Sequence, residues 1–113
     1  MAGRKPLNFS KEYKQKILSG EKRSTIRLRT SLKLGEIVEV NVGGEKIGTA
    51  QIVKVERKRL KQLTDNDARQ DGFRNVKELL RALRKHYGKL PRNAEVYILG
   101  FKFKAKGRRR KKG

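Results

Sequence analysis

The sequence predicts an α+β fold built on a small, mostly antiparallel sheet or partial barrel, with helices packed around it. Three observations lead to this prediction: β-branched segments at 25–32, 37–42 and 47–56, an amphipathic helical stretch at 76–87, and a closing apolar run at 96–103. The chain has 113 residues, which suits one domain, because each of two domains would have too small an interior. Apolar residues make up only 35% of the chain, but they cluster in these periodic segments, which argues against disorder throughout.

The first elements expected are a short helix and a strand. Ser10 is a suitable N-cap and Gly20 a suitable C-terminal residue, so a helix is predicted at about 10–19. Alternating apolar and polar residues predict a strand over 25–32. Its polar and basic face carries Thr25, Arg27 and Arg29.

A β-hairpin is expected next. The β-branched segments 37–42 and 47–56 flank Gly43-Gly44, a dipeptide typical of two-residue hairpin turns. Gly48 and Ala50 share one face of the second strand, where their small size leaves room for another backbone.

The second half of the chain predicts helices followed by a buried strand. Thr64 begins a run of capping residues that indicates a short helical turn, and Asn75 caps a longer helix that Gly88 ends. The apolar run over 96–103 predicts a central strand that is buried on both faces.

Positive charge dominates the composition. The chain holds 32 Lys and Arg against 11 Asp and Glu, a formal net charge of +21. Seven of the last ten residues are cations and none is acidic, which is typical of a disordered, self-repelling segment. Removing these seven charges leaves +14 on the rest. We therefore expect a folded domain over 1–103 and a basic disordered tail over 104–113.

This charge favours a polyanionic partner, and RNA is the expected one, because neutralising phosphates releases counterions and gives affinity.

No apolar run is long enough for a membrane span, so no membrane partner and a cytoplasmic location are expected. The chain has no cysteine and one histidine, so neither a disulfide nor a zinc site is expected, and no cofactor. The 38% content of charged residues would suit a heat-adapted protein.

The segment 20–27 is the most unusual stretch. It combines a helix-terminating glycine, three cations and two hydroxyl groups at the start of a strand. Alternation sends Arg23, Thr25 and Arg27 to one face, where they can reach phosphates or base edges. The expected nucleic-acid contacts are Lys22, Arg23, Arg27, Arg29, Arg108, Arg109 and Arg110. The alternative is an edge strand whose charges only prevent aggregation.

The pattern Gly20-x-Lys22-x-x-Thr25-x-Arg27 resembles the signature loop of ASCH domains (activating signal cointegrator homology), which are relatives of the PUA RNA-binding fold. Many members have glutamate where Thr25 stands, and the ending Thr25-Ile26-Arg27 is similar to that of a subgroup of small bacterial and archaeal members. The resemblance extends over about 7–103 through Lys33-Leu34-Gly35-Glu36, Asp71-Gly72-Phe73, Val76-Lys77-Glu78-Leu79 and Tyr97-Ile98-x-x-Phe101. It implies a PUA-like β-barrel with helices around it and a cleft beside the signature loop.

The resemblance also implies a candidate catalytic set. Some threonine-bearing members are amidohydrolases that deacetylate acetylcytidine with Lys, Thr and Glu, which correspond to Lys22, Thr25 and Glu78 here. A threonine hydroxyl needs a neighbouring base, and lysine serves as one only when its pKa falls toward neutrality. Glu78 would hold the substrate amine or a water. Its alternative is structural, because it stands three residues after Asn75, the spacing of a capping box.

Two functions from different classes therefore remain. The first is an RNA-binding module with a basic cleft at the signature loop, and the second is a hydrolase that acts on a modified nucleoside such as acetylcytidine, or on RNA itself. Asp71 and Phe73 are weaker candidates for substrate contacts, with a turn former and a core residue as the alternatives. A nucleic-acid-compacting protein would explain the charge but not the signature loop.

The tail is expected to add affinity without supporting the fold, since nothing after Ala105 is apolar. Deleting 105–113 should leave the melting temperature nearly unchanged while weakening RNA binding. It should also flatten the salt dependence by about 0.7 in log–log slope for each single-strand phosphate that the tail neutralises. Thermal denaturation and a salt titration measure the two effects. A large drop in thermal stability would mean that the tail docks on the domain.

Overall fold

The computed structural model describes residues 4–106, which form one five-stranded sheet and three helices. The strands are β1 (Pro6–Phe9), β2 (Ser24–Arg27), β3 (Ile37–Val42), β4 (Glu45–Arg59) and β5 (Glu95–Ala105). The helices are α1 (Lys14–Ser19), α2 (Asp65–Gln70) and α3 (Val76–Tyr87), with short 3₁₀ helices at Lys11–Tyr13 and Leu60–Gln62. The α+β prediction is confirmed. Among the described residues, no helix has the length and apolar character needed to cross a bilayer.

The sheet is mixed and curls into a half-barrel. Its strand order is β1-β3-β4-β5-β2, with β1 parallel to β3 and every other neighbouring pair antiparallel. The two edge strands approach each other across the open side, where the Arg27 guanidinium on β2 donates a hydrogen bond of 2.6 Å to the carbonyl oxygen of Asn8 on β1. The predicted mostly antiparallel partial barrel is therefore confirmed, and an arginine side chain links its edges.

β5 is buried on both faces over residues 98–101, within the apolar run, and it separates two apolar cores. Leu99 and Phe101 face the barrel core, whereas Val96 and Ile98 face a second core beneath the helices. The barrel core also contains Leu7, Phe9, Ile17, Val38, Val40, Val42, Ile47, Ala50 and Ile52. The helix core also contains Ile26, Leu60, Leu63, Ala68, Leu79 and Leu83.

The N-terminal elements differ from the prediction. The sequence did not predict β1, and the helix expected at 10–19 is divided into a 3₁₀ helix and α1. The strand expected over 25–32 ends at Arg27. The reason is topological: β2 is an edge strand, so the chain leaves β5 after Arg27 and crosses to β3 on the other side of the sheet.

The hairpin between β3 and β4 forms as expected. Gly43 and Gly44 have φ values of +60° and +85°, the left-handed conformations that a tight hairpin turn requires. The ladder is interrupted by irregularities in pairing beside Val40 and at Ile52–Lys54, and these change which β4 side chains face inward. Val53 and Val55, at 43% and 39% exposure, lie on the surface despite their apolar character.

β5 runs two residues beyond the predicted end of the domain at 103. Lys104 and Ala105 pair with β4, and the backbone nitrogen of Lys106 donates a hydrogen bond of 2.9 Å to Ile47. The remaining tail, 107–113, lies outside the described residues, so its predicted disorder stays a prediction. A deletion that tests the tail alone therefore begins after Lys106.

At Gly48, β4 lies so close to β5 that there is no room for a side chain. A Cβ atom there would overlap the carbonyl oxygen of Lys104 and lie 2.8 Å from the Phe103 ring, which confirms the predicted close approach. Gly48→Ala should lower the free energy of unfolding by at least about 2 kcal/mol, because the strand backbones would have to separate. Gln51→Ala, on the exposed face of the same strand, should cost less than about 1 kcal/mol. Urea denaturation of both variants is the measurement, and equal losses would contradict this account of Gly48.

Candidate functional site

A cleft of ≈ 190 Å³ opens beside the start of β2, between β1 and the C-terminal part of α3. Aromatic rings and charged side chains from five parts of the chain line it. The lining residues that bear on its chemistry are Phe9, Tyr13, Lys22, Thr25, Arg27, Asp71, Phe73, His86 and Tyr87.

The backbone of the signature loop is held from both sides. Gly20 ends α1 in the left-handed conformation, with φ of 85°, which turns the chain back toward the helix. The Lys22 nitrogen then bonds to the carbonyl of Lys16 at 2.9 Å, and the Arg23 nitrogen bonds to that of Gln70 at 2.7 Å. These bonds fix the Lys22 side chain inward before β2 begins.

Lys22 and Asp71 form an ion pair inside the cleft, and each side chain is only 4% exposed. The ammonium also donates to the Asp71 carbonyl oxygen at 3.0 Å, so side chain and backbone both bind it. Burial lowers the pKa of Lys22, and the negative charge of Asp71 opposes that shift. Burial likewise raises the pKa of Asp71 to about 6, against the opposing effect of Lys22.

Three aromatic rings surround the Lys22 ammonium. The nitrogen lies 4.8 Å from the ring centroid of Tyr13, 5.7 Å from that of Phe73 and 5.8 Å from that of Phe9. These are cation–π distances, and they compensate in part for the hydration that the ammonium loses. Lys22 therefore joins the signature loop to β1, to the first helical turn and to the turn before α3.

Thr25 and Arg27 share the face of β2 that borders the cleft. Thr25 is 5% exposed, and its hydroxyl oxygen accepts a hydrogen bond of 3.2 Å from the Arg27 guanidinium. That guanidinium also lies 5.1 Å from the Phe9 ring centroid. A cationic donor at a hydroxyl oxygen favours its deprotonated form, which is the form a nucleophilic threonine needs.

Tyr13 and His86 form the rim opposite β2. The Tyr13 hydroxyl lies 2.8 Å from His86 Nε2, a hydrogen bond between the first helical segment and the end of α3. Burial, followed by the charges of Glu12 and Asp71, raises the pKa of Tyr13 to about 12, so the phenol stays protonated. The sequence did not point to either residue as part of a site, because Tyr13 has the spacing of an ordinary core residue and His86 stands at the end of a basic helix.

Glu78, a candidate catalytic residue, does not line the cleft. Its carboxylate accepts hydrogen bonds from the Arg74 backbone nitrogen at 2.8 Å and from the Arg74 side chain at 3.1 Å. The Asn75 side chain in turn accepts from the Glu78 nitrogen at 2.9 Å. These contacts favour the structural role at the N-terminus of α3, and the carboxylate that the fold brings beside Lys22 is Asp71.

The expected basic face is only partly assembled. Arg27 borders the cleft, but Arg23 is exposed beside α1 and Phe101, because regular strand alternation starts only at Ser24. Arg29 lines a neighbouring depression with Lys5. Arg108, Arg109 and Arg110 lie outside the described residues. Within 4–106, no three His, Cys, Asp or Glu side chains are grouped so as to hold a metal ion.

Comparisons with known proteins place this arrangement among related folds. The family model for the ASCH domain matches residues 2–103. An ASCH domain structure from Lactobacillus crispatus is similar, with a TM-score of 0.71 and 20% identity over 85% of this chain and 79% of that one. A structure from Enterococcus faecalis has a TM-score of 0.68 and 14% identity over 93% and 78%. For ASCH from Zymomonas mobilis the TM-score is 0.64, with 17% identity over 88% and 68%. No curated protein matches the chain in sequence.

The buried Lys22–Asp71 pair should be strongly coupled. Lys22→Met or Asp71→Asn alone leaves one partner charged and buried, and each should cost about 3–5 kcal/mol of unfolding free energy. The double variant should lose clearly less stability than the two single variants together, because it leaves no unpaired charge buried in the cleft. Urea denaturation of the four proteins gives this cycle. Additive losses would mean that the two charges do not interact.

Proposed function

Because the chain belongs to the ASCH domain family, whose fold is related to the RNA-binding PUA fold, we propose that it binds single-stranded RNA and holds one base in the cleft. The observation that carries this proposal is a concave site walled by aromatic rings, beside a cation, in a strongly basic domain. Its ≈ 190 Å³ is below the range of about 300–1,000 Å³ typical of sites for whole drug-sized molecules. It therefore suits part of a ligand, such as one base of a longer strand.

The rings of the cleft supply the base contact. Phe73 is partly exposed at the cleft and packs edge-on against Tyr13, with ring centroids 6.2 Å apart. Stacking on such rings is insensitive to sequence, because every base has a π face. His86 and the Tyr13 hydroxyl, which hydrogen-bond to each other, provide the polar groups for a base edge.

Arg27 is the phosphate contact nearest the cleft. The Lys22 charge is compensated by Asp71, so Lys22 shapes the cleft floor and contributes little attraction for an anion. Within residues 4–106 no carboxylate forms an ion pair with Arg27, although the charge of Asp71 acts on it from a distance; the hydrogen bonds of Arg27 go to Thr25 and to the carbonyl oxygen of Asn8. The exposed Arg23 and Arg29 add further electrostatic attraction from outside the cleft, and the tail adds its positive charge.

A pair of charge variants tests the cleft against general electrostatics. Arg27→Gln should weaken binding to an oligouridine of about ten nucleotides and reduce the log–log salt slope by about 0.7, one phosphate contact. Arg81→Gln removes the same charge from an exposed position on α3 that does not line the cleft, and it should change neither quantity. Fluorescence anisotropy at several salt concentrations measures both. Equal effects would refute a cleft-centred site.

An aromatic variant tests the base contact. Phe73→Leu keeps an apolar side chain but removes the ring, so it should weaken oligouridine binding at least about fivefold, the lower end of base stacking. Its salt slope should stay unchanged, because every phosphate contact is retained. Thermal denaturation checks that the fold is intact. Unchanged affinity in a folded variant would contradict base binding at Phe73.

We propose hydrolysis of an N-acylated nucleoside as the second candidate function. The observation that favours it is that Lys22, Thr25 and Asp71 line one cleft, with the Thr25 oxygen already bonded by Arg27. The Thr25 hydroxyl would attack the acyl carbon, and neutral Lys22 would accept its proton and pass it to the departing amine. Water would then hydrolyse the acyl-threonine ester and release the acid. Lowering of the Lys22 pKa by burial is in the direction that this base role requires.

Turnover of acetylcytidine tests this candidate. Thr25→Val should lower the rate at least about a hundredfold. Glu78→Gln should retain activity and lower the melting temperature only slightly, because Glu78 bonds to the backbone nitrogen of Arg74 before α3 and does not line the cleft. Chromatographic detection of cytidine is the measurement. The hydrolase proposal falls if the parent protein releases no cytidine or if Thr25→Val is fully active.

A further inference from the structure

A second basic and aromatic surface lies on the sheet beside the cleft, at the end of the β4–β5 ladder where β4 finishes and β5 begins. Strand register places Arg27 on β2, Tyr97 on β5 and Arg57 on β4 directly opposite one another. Directly opposed residues project from the same face of a sheet, so the three side chains form one row with the aromatic residue in the centre. We call this row and its β4 neighbours Val55 and Arg59 the Tyr97 face.

This end of the sheet is covered on one face only. Val96 and Ile98, which flank Tyr97 in sequence, are buried against the helices. On the opposite face Tyr97 is partly exposed, Val55 is 39% exposed, and Arg57 and Arg59 are exposed. An aromatic residue between arginines on an open sheet face is the arrangement on which single-stranded nucleic acid stacks its bases.

The charge on this face is positive. The acidic residue in register with it is Glu95, which is opposite Arg59 and has a carboxylate oxygen 4.0 Å from Arg57 Nε. The side chains of Arg57 and Glu95 are 62% and 52% exposed, so the pair is well solvated and leaves the guanidinium accessible to a phosphate.

The Tyr97 face and the cleft are connected through Arg27. Arg27 lines the cleft and also a neighbouring depression of ≈ 250 Å³, where it is joined by Lys5, Arg29 and Leu99. Leu99 is two residues along β5 from Tyr97 and therefore on the same face. Cations thus border a route from the cleft, past Arg27 and Arg29, to the row that contains Tyr97.

We propose that a single RNA strand leaves the cleft along this route and stacks a flanking base on Tyr97, with Arg57 contacting its backbone phosphate. This inference rests on the proposed RNA binding and deepens it, because it gives the site a direction and a length greater than one nucleotide. It also gives Arg29 a role beside the route.

The test uses an oligouridine of about ten nucleotides and three variants of the full chain, with Arg81→Gln on α3 as the matched control. Tyr97→Leu should weaken binding at least about fivefold, whereas Tyr97→Phe, which keeps the ring, should bind like the parent. Arg57→Gln should reduce the log–log salt slope by about 0.7, whereas Arg81→Gln should leave it unchanged. Fluorescence anisotropy gives affinities and slopes, and thermal denaturation confirms folding.

A crosslinking measurement keeps the inference testable if Tyr97→Leu is destabilised. An oligomer carrying one photoreactive uridine, irradiated with the parent protein, should attach to the β5 peptide that contains Tyr97 when that uridine flanks the base in the cleft. Mass spectrometry identifies the attached peptide. Absence of this crosslink from every position along a bound oligomer would overturn the inference.

The outcomes separate this inference from the proposed function. If Phe73→Leu weakens binding while folded Tyr97→Leu does not, RNA binding in the cleft stands and the route across Tyr97 is wrong. If Tyr97→Phe loses as much affinity as Tyr97→Leu, stacking is not the contact and the inference also fails. If the parent does not bind the oligomer at low salt, both proposals fall.

Discussion

The double-sided burial of β5 is the constraint on which the rest of this structure depends. Its side chains alternate between the barrel core and the helix core, and its backbone pairs with β4 on one side and β2 on the other. A strand between two cores must be apolar on both faces, and residues 98–101 meet that requirement, whereas Tyr97 before them is partly exposed. Because the backbone of β2 pairs with β5, the same strand fixes where the signature loop ends and which face of the sheet carries Thr25 and Arg27.

The second organising interaction is the buried contact of Lys22 with Asp71. It is a costly arrangement, because two ionised groups leave water, and apolar residues of similar volume would often be as stable there. What the pair does in the site is to hold the signature loop against the turn before α3 and to gather Phe9, Tyr13 and Phe73 around one point. The walls of the cleft are therefore aromatic, and its floor is nearly neutral because the charges of Lys22 and Asp71 compensate each other. The positive charge lies at Arg27 on the border of the cleft.

This distribution of charge bears on how a basic ASCH domain can select a ligand. Charge spread over the surface attracts any polyanion and carries no information about its bases. Aromatic walls discriminate a single strand from a duplex, because only unpaired bases are available to stack. In this chain the two features meet at Arg27, which contacts a ring of the cleft, the hydroxyl of Thr25 and the opposite barrel edge. It couples closure of the sheet to the chemistry of the site.

The sequence by itself determined the α+β class, the Gly43-Gly44 turn, the cap at Asn75 and the buried β5, since each depends on local conformational preference or on the spacing of apolar residues. The resemblance of the loop also drew attention to Lys22, Thr25 and Arg27, which line one cleft.

Only the tertiary structure decided which carboxylate joins them. Glu78 lies in the first turn of α3 and Asp71 directly follows α2, and nothing in their local sequence states that one bonds to Arg74 and the other to Lys22. The same holds for Tyr13 and His86, which are 73 residues apart, and for the row of Arg27, Tyr97 and Arg57. The row follows from strand order and register, and the other groupings follow from how the helices pack on the sheet. Both depend on contacts between distant parts of the chain, so local pattern does not encode them.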